Sequence, residues 1–158
     1  MTLQLYATIT GSAQGPFKGE TTSAKLVNKI PGVAFSYGIL DPHDAVSGAT
    51  SGKRQHQPVI FTKPWGISSP QFYKAAYTNE LLTSVLFEFF LPQPDGIEML
   101  DHTIKLTNAS VSSVRQAVQL GQLNGPPVDS RDLQEISFHF QTIEIISLTG
   151  HTEANGEW

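Results

Sequence analysis

The sequence contains no cysteine, little charge and no long hydrophobic run. Without thiols there is neither a disulfide framework nor a Cys-ligated zinc site, and the chain behaves alike in reducing and oxidising compartments. Charged residues make up 15% of the 158 residues, which is low for a soluble protein. Ser, Thr, Gln, Asn and Gly must therefore cover much of the surface. Copies with such a surface repel each other weakly, which leaves room for self-association. The net charge of −4 lacks the basic excess of a dedicated nucleic-acid binder. The longest apolar stretch, Val85 to Leu91, is interrupted by Glu88 and falls well short of the roughly 20 residues that span a bilayer. Residues 1–10, MTLQLYATIT, have no basic start and no apolar run. No signal peptide is expected, so any export would bypass the general secretory route.

What is present is a period of two. In LQLYATIT, Leu3, Leu5, Ala7 and Ile9 share one face and polar residues the other, the mark of a half-buried strand. Gly11 to Gly19 is turn-rich. Residues 20–30 and 32–40 read as strands joined by a turn at Pro31-Gly32. Residues 41–54, DPHDAVSGATSGKR, have no apolar period and read as a long loop, a feature usually functional or mobile in a compact domain. A strand is expected at 55–62. Ser68 or Ser69 can cap a helix with Pro70 at its first position. Phe72, Ala75 and Ala76 fall on one side, and Asn79 suits the left-handed residue past the helix end. The spacing predicts the only substantial helix over 69–79. Strands follow at 83–91, 99–107, 109–119 and 131–148, with turns at Pro92, Pro94-Asp95-Gly96, Asn108 and Asn124-Gly125-Pro126-Pro127. In the last strand the apolar phase of Ile136, Phe138 and Phe140 switches to Ile143 and Ile145, which predicts a bulge or bend. Residues 149–158 read as a polar tail. Many short strands with one helix predict a β-barrel or two-sheet sandwich in a single domain over 1–148.

Catalytic signatures are missing. The five histidines, His43, His56, His102, His139 and His151, show no helical metal-ligand spacing. His102 alternates with Leu100, Ile104 and Leu106, so it reads as a satisfied, partly buried side chain, and His139 reads as a polar-face residue. There is no Gly-x-Ser-x-Gly elbow, and Gly48 to Lys53 has the wrong spacing for a phosphate loop. Glu88 and Glu144 sit among apolar residues, where a solvent or interface face is the ordinary explanation rather than paired-carboxylate catalysis. Trp65 reads as an aromatic anchor under a strand-to-helix corner rather than a stacking platform. No catalytic residue, cofactor or metal is expected.

The stretch GKRQHQPVIFTKPWGISSPQFYKA packs Lys53, Arg54, His56, Lys63 and Trp65 into a few residues. Its pattern of His56, Pro58, Val59-Ile60-Phe61, Thr62-Lys63, Ser69-Pro70 and Ala75-Ala76 resembles the Hcp (haemolysin-coregulated protein) family, the tube proteins of bacterial type VI secretion systems. Leu5 to Glu20 resembles that family's first strand and turn. Ile104 to Val114, with Val111, Ser112, Ser113 and Val114, resembles its paired late strands. Leu133 to Ile145, with Glu135 and Phe138, resembles its final strand. One departure is clear: the family's acidic residue between the Thr-Lys strand and the Ser-Pro helix is replaced by Pro64-Trp65-Gly66-Ile67.

The resemblance implies a mainly β protein, a barrel of two packed antiparallel sheets with one flanking helix. It implies six copies in a ring, with rings stacked into a hollow tube that grows inside a contractile sheath and carries a spike. The tube is made in the bacterial cytoplasm and expelled into a neighbouring cell, and small effector proteins can ride in its lumen. No nucleic acid and no membrane insertion are implied. The loop, with Asp41, His43, Asp44, Ser47, Gly48, Ser51, Lys53 and Arg54, is the expected contact to the next ring. Lys53, Arg54 and Lys63 are expected to pair with Asp41, Asp44 or Glu20 of a neighbour. Two other readings stay open: a phage-like contractile tail tube, and a small-ligand-binding barrel that would use His102, Glu88 and Trp65.

Overall fold

The computed structural model describes residues 3–20, 26–43, 45–49, 52, 54–120 and 131–158. Its strands are β1 (Gln4–Gly11), β2 (Gly15–Pro16), β3 (Ile30–Gly32), β4 (Ala34–Ser36), β5 (Ile39–Leu40), β6 (Gln55–His56) and β7 (Val59–Pro64). Helix α1 (Ser69–Thr78) follows, then β8 (Leu82–Pro92), β9 (Glu98–Gln119), β10 (Arg131–His139), β11 (Thr142–Ser147) and β12 (Thr152–Glu157). The mainly β class and, among the described residues, the one flanking helix are as the sequence led us to expect.

The period of two in β1 buries Leu5, Ala7 and Ile9, whereas Leu3 lies outside the strand and is exposed. The sheet order is β2-β1-β8-β9-β10-β7-β4, with β11 and β12 beside the first half of β9. The path does not close into a barrel by direct strand pairing. Instead, one stretch of chain laces the gap. β3 pairs with β1, the Val33 N–H donates to the Thr62 carbonyl at 2.8 Å, and β4 pairs with β7. Pro31-Gly32 is therefore strand and not turn. A proline is tolerated there because β3 is an edge, where its missing N–H leaves no ladder bond unmade.

Asn108 is not a turn either. β9 runs unbroken for 22 residues, and Asn108 takes φ 51° inside it. That left-handed residue bends the strand from one sheet into the other. The first half of β9 pairs with β8 and β11, and the second half pairs with β10. The Gln141 N–H donates to the Thr107 and Asn108 carbonyls, both at 3.2 Å. The same corner breaks the expected strand 131–148 into β10 and β11, at the place where the apolar phase switches. Pro58 likewise separates β6 from β7 within the expected strand 55–62. Residues 152–157, expected in a tail, form β12 against β11. Their polar side chains suit a strand exposed on both faces, so composition alone hid it. The expected strand 20–30 and the turn at 124–127 fall partly or wholly on residues 21–25 and 121–130, outside the described set.

Rings fill the space between the sheets. Phe87 lies 4.9 Å from Phe35, 5.4 Å from Phe61 and 6.1 Å from Phe138, centroid to centroid. Helix α1 covers one side with Phe72 and Ala75, and Phe72 meets Phe17 and Phe138 edge-on. Asn79 ends the helix at φ 53°, and the Glu80 N–H donates to the Ala75 carbonyl.

Glu80 then ties the helix end to the first turn. Its carboxylate accepts hydrogen bonds from the Ala13 and Gln14 N–H groups and the Gln14 amide at 3.0–3.2 Å. Burial alone would raise its pKa, but these hydrogen bonds and the nearby Lys74 outweigh burial and hold it below the ordinary 4.5. A carboxyl depressed on folding stabilises above its ordinary pKa, and the contribution fades as pH falls through the folded value. Replacing Glu80 with Gln turns an amide NH2 toward these donors and is expected to cost about 1–3 kcal/mol at pH 7. The gap from wild type should narrow as pH falls below the ordinary 4.5 and toward the lowered folded value. Urea melts at pH 7 and pH 3.5 check this, and a gap equal at both values refutes it.

Candidate functional site

The opening of α1 is built around a lysine that the sequence placed on the surface. Alternation along β7 turns Val59, Phe61 and Lys63 inward, and Lys63 is fully buried. Its ammonium donates to the Glu20 carboxylate at 2.9 Å, and to the Pro64 carbonyl and the Ser69 hydroxyl at 2.8 Å each. The Glu20 carboxylate also accepts from the Ser68 N–H at 3.1 Å and from the Ser68 hydroxyl. Gly66 makes room, because a Cβ there would stand 2.5 Å from the Glu20 carboxyl carbon.

Burial lowers the Lys63 pKa, and the Glu20 carboxylate opposes that shift. All three ammonium hydrogens have acceptors, so the group is a lock between the 17–20 segment and the helix, not an exposed nucleophile. The expected pairing of Lys63 with a neighbour, and of Glu20 with a neighbour's cation, is thereby corrected: the two residues hold each other within one chain. Glu20, 48 residues upstream of Ser68, supplies the carboxylate at this strand-to-helix corner. The two serines differ from expectation as well, because the Ser68 hydroxyl is spent on Glu20 and makes no cap bond.

The loop 41–54 leaves from the β5–β6 pair, where Ile39 faces His56 and Leu40 faces Gln55. Asp41, His43, Ser47, Gly48 and Arg54 are exposed. Gly48 and Gly52 take φ of 71° and 79°, a conformation open to glycine at little cost. Asp44, Ser51 and Lys53 lie outside the described residues. The loop's base is anchored by aromatic contacts. The Tyr37 hydroxyl and His56 Nδ1 stand 2.9 Å apart, and His56 stacks on Trp158 at 5.5 Å and meets Phe140 edge-on at 5.4 Å. Trp158 also stacks on His139 at 4.5 Å. Beside this cluster an open cleft of about 900 Å³ is lined by Arg54, Lys105, Glu144 and Asn155 among others.

The remaining motif residues are distributed through the sheets. Val111 and Val114 pack against the core, and the register slips between them as the Ser112 hydroxyl donates to the Ser137 carbonyl. Ser113 faces Ser137, and Glu135 lies between Arg115 and Thr62 across three strands. Phe138 and Ala75 are core, Pro70 opens the helix, and Pro58 precedes β7. Most of the pattern thus builds the fold.

His102, Glu88 and Trp65 do not converge. His102 stacks on Phe89 at 4.2 Å with Nδ1 2.7 Å from Asp101, as expected of a satisfied histidine. Glu88, read as a strand-face residue, is buried and pairs with Lys29 at 2.5 Å. Trp65 is 43% exposed beside Tyr73, so it is not a buried anchor. Sequence reasoning named Glu20 as a partner of Lys63 but placed it on a neighbouring copy, and it missed Trp158, which no local signal marks. Among the described residues, no three His, Asp or Glu side chains cluster at metal-binding distance.

Comparison with known proteins gives a consistent set. A family model described as "Type VI secretion system effector, Hcp" matches residues 6–146. The chain is 23% identical to the "Major exported protein" of Pseudomonas aeruginosa, over the whole of this chain and 96% of that one. Its fold is similar to a crystal structure of an Hcp protein, with TM-score 0.90 and 23% identity over 99% of this chain and 98% of that one. It is also similar to the Hcp1 protein of the E. coli EAEC 042 pathovar, with TM-score 0.86 and 24% identity over 99% of both chains.

Proposed function

The chain belongs to the Hcp family of type VI secretion system effectors, and on that premise we propose that it is a tube subunit that works by assembly, not by catalysis. Six copies close a ring, rings stack into the expelled inner tube, and small effectors can travel in its lumen. The sheath and spike of the secretion machine are its other partners. The subunit is made in the cytoplasm and leaves through the machine. The observation that carries this reading is the family match over residues 6–146. A packed interior supports it: among the described residues, phenylalanine rings fill the space between the sheets.

A ring needs two different, complementary flanks on each subunit. A subunit whose loop base is held by His56, Tyr37 and Trp158 while Asp41, His43, Ser47, Gly48 and Arg54 are exposed is suited to reach a second ring, because a loop of small residues is cheap to order on contact. Deleting residues 43–51 should leave a short hairpin loop between β5 and β6, an unchanged melting temperature and intact rings, with stacking lost or strongly reduced. Light scattering after size exclusion, with electron micrographs of the same peak, checks this. Stacks as long as wild type remove the loop from the axial contact, and an unfolded variant makes it structural. A wild-type protein that stays monomeric at all concentrations sinks the tube reading.

A further inference from the structure

Trp158 joins the edge strand β12 to the hairpin that carries loop 41–54. We propose that β12 and Trp158 form a strap that fixes the direction of this hairpin, so that a sheet edge outside the loop controls ring stacking. This rests on the loop-mediated stacking proposed above and adds a positioning residue to it.

The hairpin needs an external hold. β5 and β6 form a two-stranded sheet of their own and pair, among the described residues, with no strand of the ten-stranded sheet. The Gln57 N–H closes the pair by donating to the Gly38 carbonyl at 2.9 Å. A lone two-stranded hairpin is marginally stable in water, and Ile39 and Leu40 leave about half their surface exposed. Its direction therefore depends on the side chains at its base. Tyr37 and His56 both meet Phe140 edge-on, at 6.0 and 5.4 Å, and His56 also stacks on Trp158.

The two supports differ in kind. Phe140 is buried at the corner between β10 and β11 and is a fixed wall. Trp158 arrives on β12, which pairs on one side only, with β11, and is mostly exposed. Its backbone N–H donates to the Gln141 carbonyl at 3.0 Å, and its indole meets Phe140 edge-on at 5.0 Å while stacking on His139 and His56. Gly156 lets the strand pass close under the hairpin: a Cβ there would stand 3.3 Å from an Ile143 methyl and 3.7 Å from His56 Cε1. Segments with few buried contacts open at lower free energy than the core. β12 is such a segment, so the strap can be released while the two sheets stay folded.

The hairpin also has room to respond. The open cleft of about 900 Å³ is lined by Tyr37, Ile39 and Arg54 from its side and by Lys105, Glu144 and Asn155 from the sheet. With the strap in place, His56 rests on two aromatic groups. Without it, His56 keeps Phe140 alone and the loop samples more directions. A loop that is already aimed loses less freedom on contact and binds more tightly.

Trp158→Ala is the test. Circular dichroism and thermal melting confirm that the variant is folded. Amide exchange at Gln57 should rise about tenfold, the scale of losing such aromatic contacts, and trypsin should cut faster at the exposed Arg54. Exchange in β8 should not change, rings should persist, and stacks in electron micrographs should shorten. Trp158→Phe, which keeps a ring, should restore most of the protection. His56→Ala should reproduce the loss from the hairpin side, and adding Trp158→Ala to it should change little further, because the strap acts through that contact. Unchanged exchange at Gln57, or an equal rise in β8, overturns the strap. Stacks of wild-type length on a loosened hairpin overturn its control of stacking. A wild type that forms no rings overturns the tube reading and that control with it, whereas the exchange pattern in the monomer still decides whether Trp158 holds the hairpin.

Discussion

Replacing Glu20 with alanine is expected to cost about 3–5 kcal/mol, since removing one member of a buried ion pair strands the other. Lys63 is fully buried, and among the described residues the Glu20 carboxylate is the one anion in direct contact with its ammonium, with Asp132 acting from farther away. In Glu20→Ala the lysine keeps the Pro64 carbonyl and the Ser69 hydroxyl, two neutral acceptors that do not balance a charge.

The pH dependence separates this cause from lost packing. Burial already lowers the Lys63 pKa in the wild type, so the folded chain releases this proton before the unfolded chain does. Between the lowered folded value and the ordinary 10.5, the unfolded state holds more protons and stability rises with pH. Without Glu20 the folded value drops further, and the deficit relative to wild type should shrink as pH rises toward 10. Adding Lys63→Met should recover most of the loss at pH 7, because an apolar side chain of similar length needs no counter-charge. Urea melts of wild type and the two variants at pH 7 and pH 9.5 are sufficient. A loss under about 1 kcal/mol, the worth of an exposed pair, would show that the lysine reaches water, and the lock would then contribute little.

The second large effect is expected at Phe87. It is fully buried and lies between Phe35, Phe61 and Phe138, on β8 at the centre of the sheet. Truncation to alanine removes a ring from a site walled by other rings and two sheets, where collapse is limited. The expected loss is about 3–5 kcal/mol, transfer and cavity contributions together. Wild type and variant must be compared at one protein concentration, because any assembly stabilises the folded subunit by mass action. A loss under about 1 kcal/mol would mean a loosely packed interior, and would reopen the ligand-binding reading that the filled core disfavours.

These two positions differ in how visible they were. Phe87 lies in an apolar run with an evident strand character, and its burial follows from alternation and the hydrophobic effect. Lys63 follows the same alternation, yet charge argued for the surface. Alternation prevailed because Glu20, a serine hydroxyl and a carbonyl converge on the ammonium, and no one-dimensional pattern announces such a convergence. The helix was legible nearly to the residue, since its end depends on one local fact: Asn79 tolerates a left-handed backbone. Asn108 tolerates the same conformation, and there it bends a continuous strand instead of ending one. Only the neighbouring strands distinguish the two outcomes. β12 escaped notice because an edge strand exposed on both faces has no apolar alternation to detect.

Local chemistry by itself determined the mainly β class, the helix and its stop, the alternation of β1 and β10, and the exposed small-residue loop. Each depends on residues a few positions apart. Tertiary structure decided that the sheet stays open and is laced by 30–36, and that Glu20 balances Lys63. It also decided that His56 is held by Trp158. Each of these pairs groups tens of residues apart, and burial makes such a pairing worth its free energy only after the chain has closed around it.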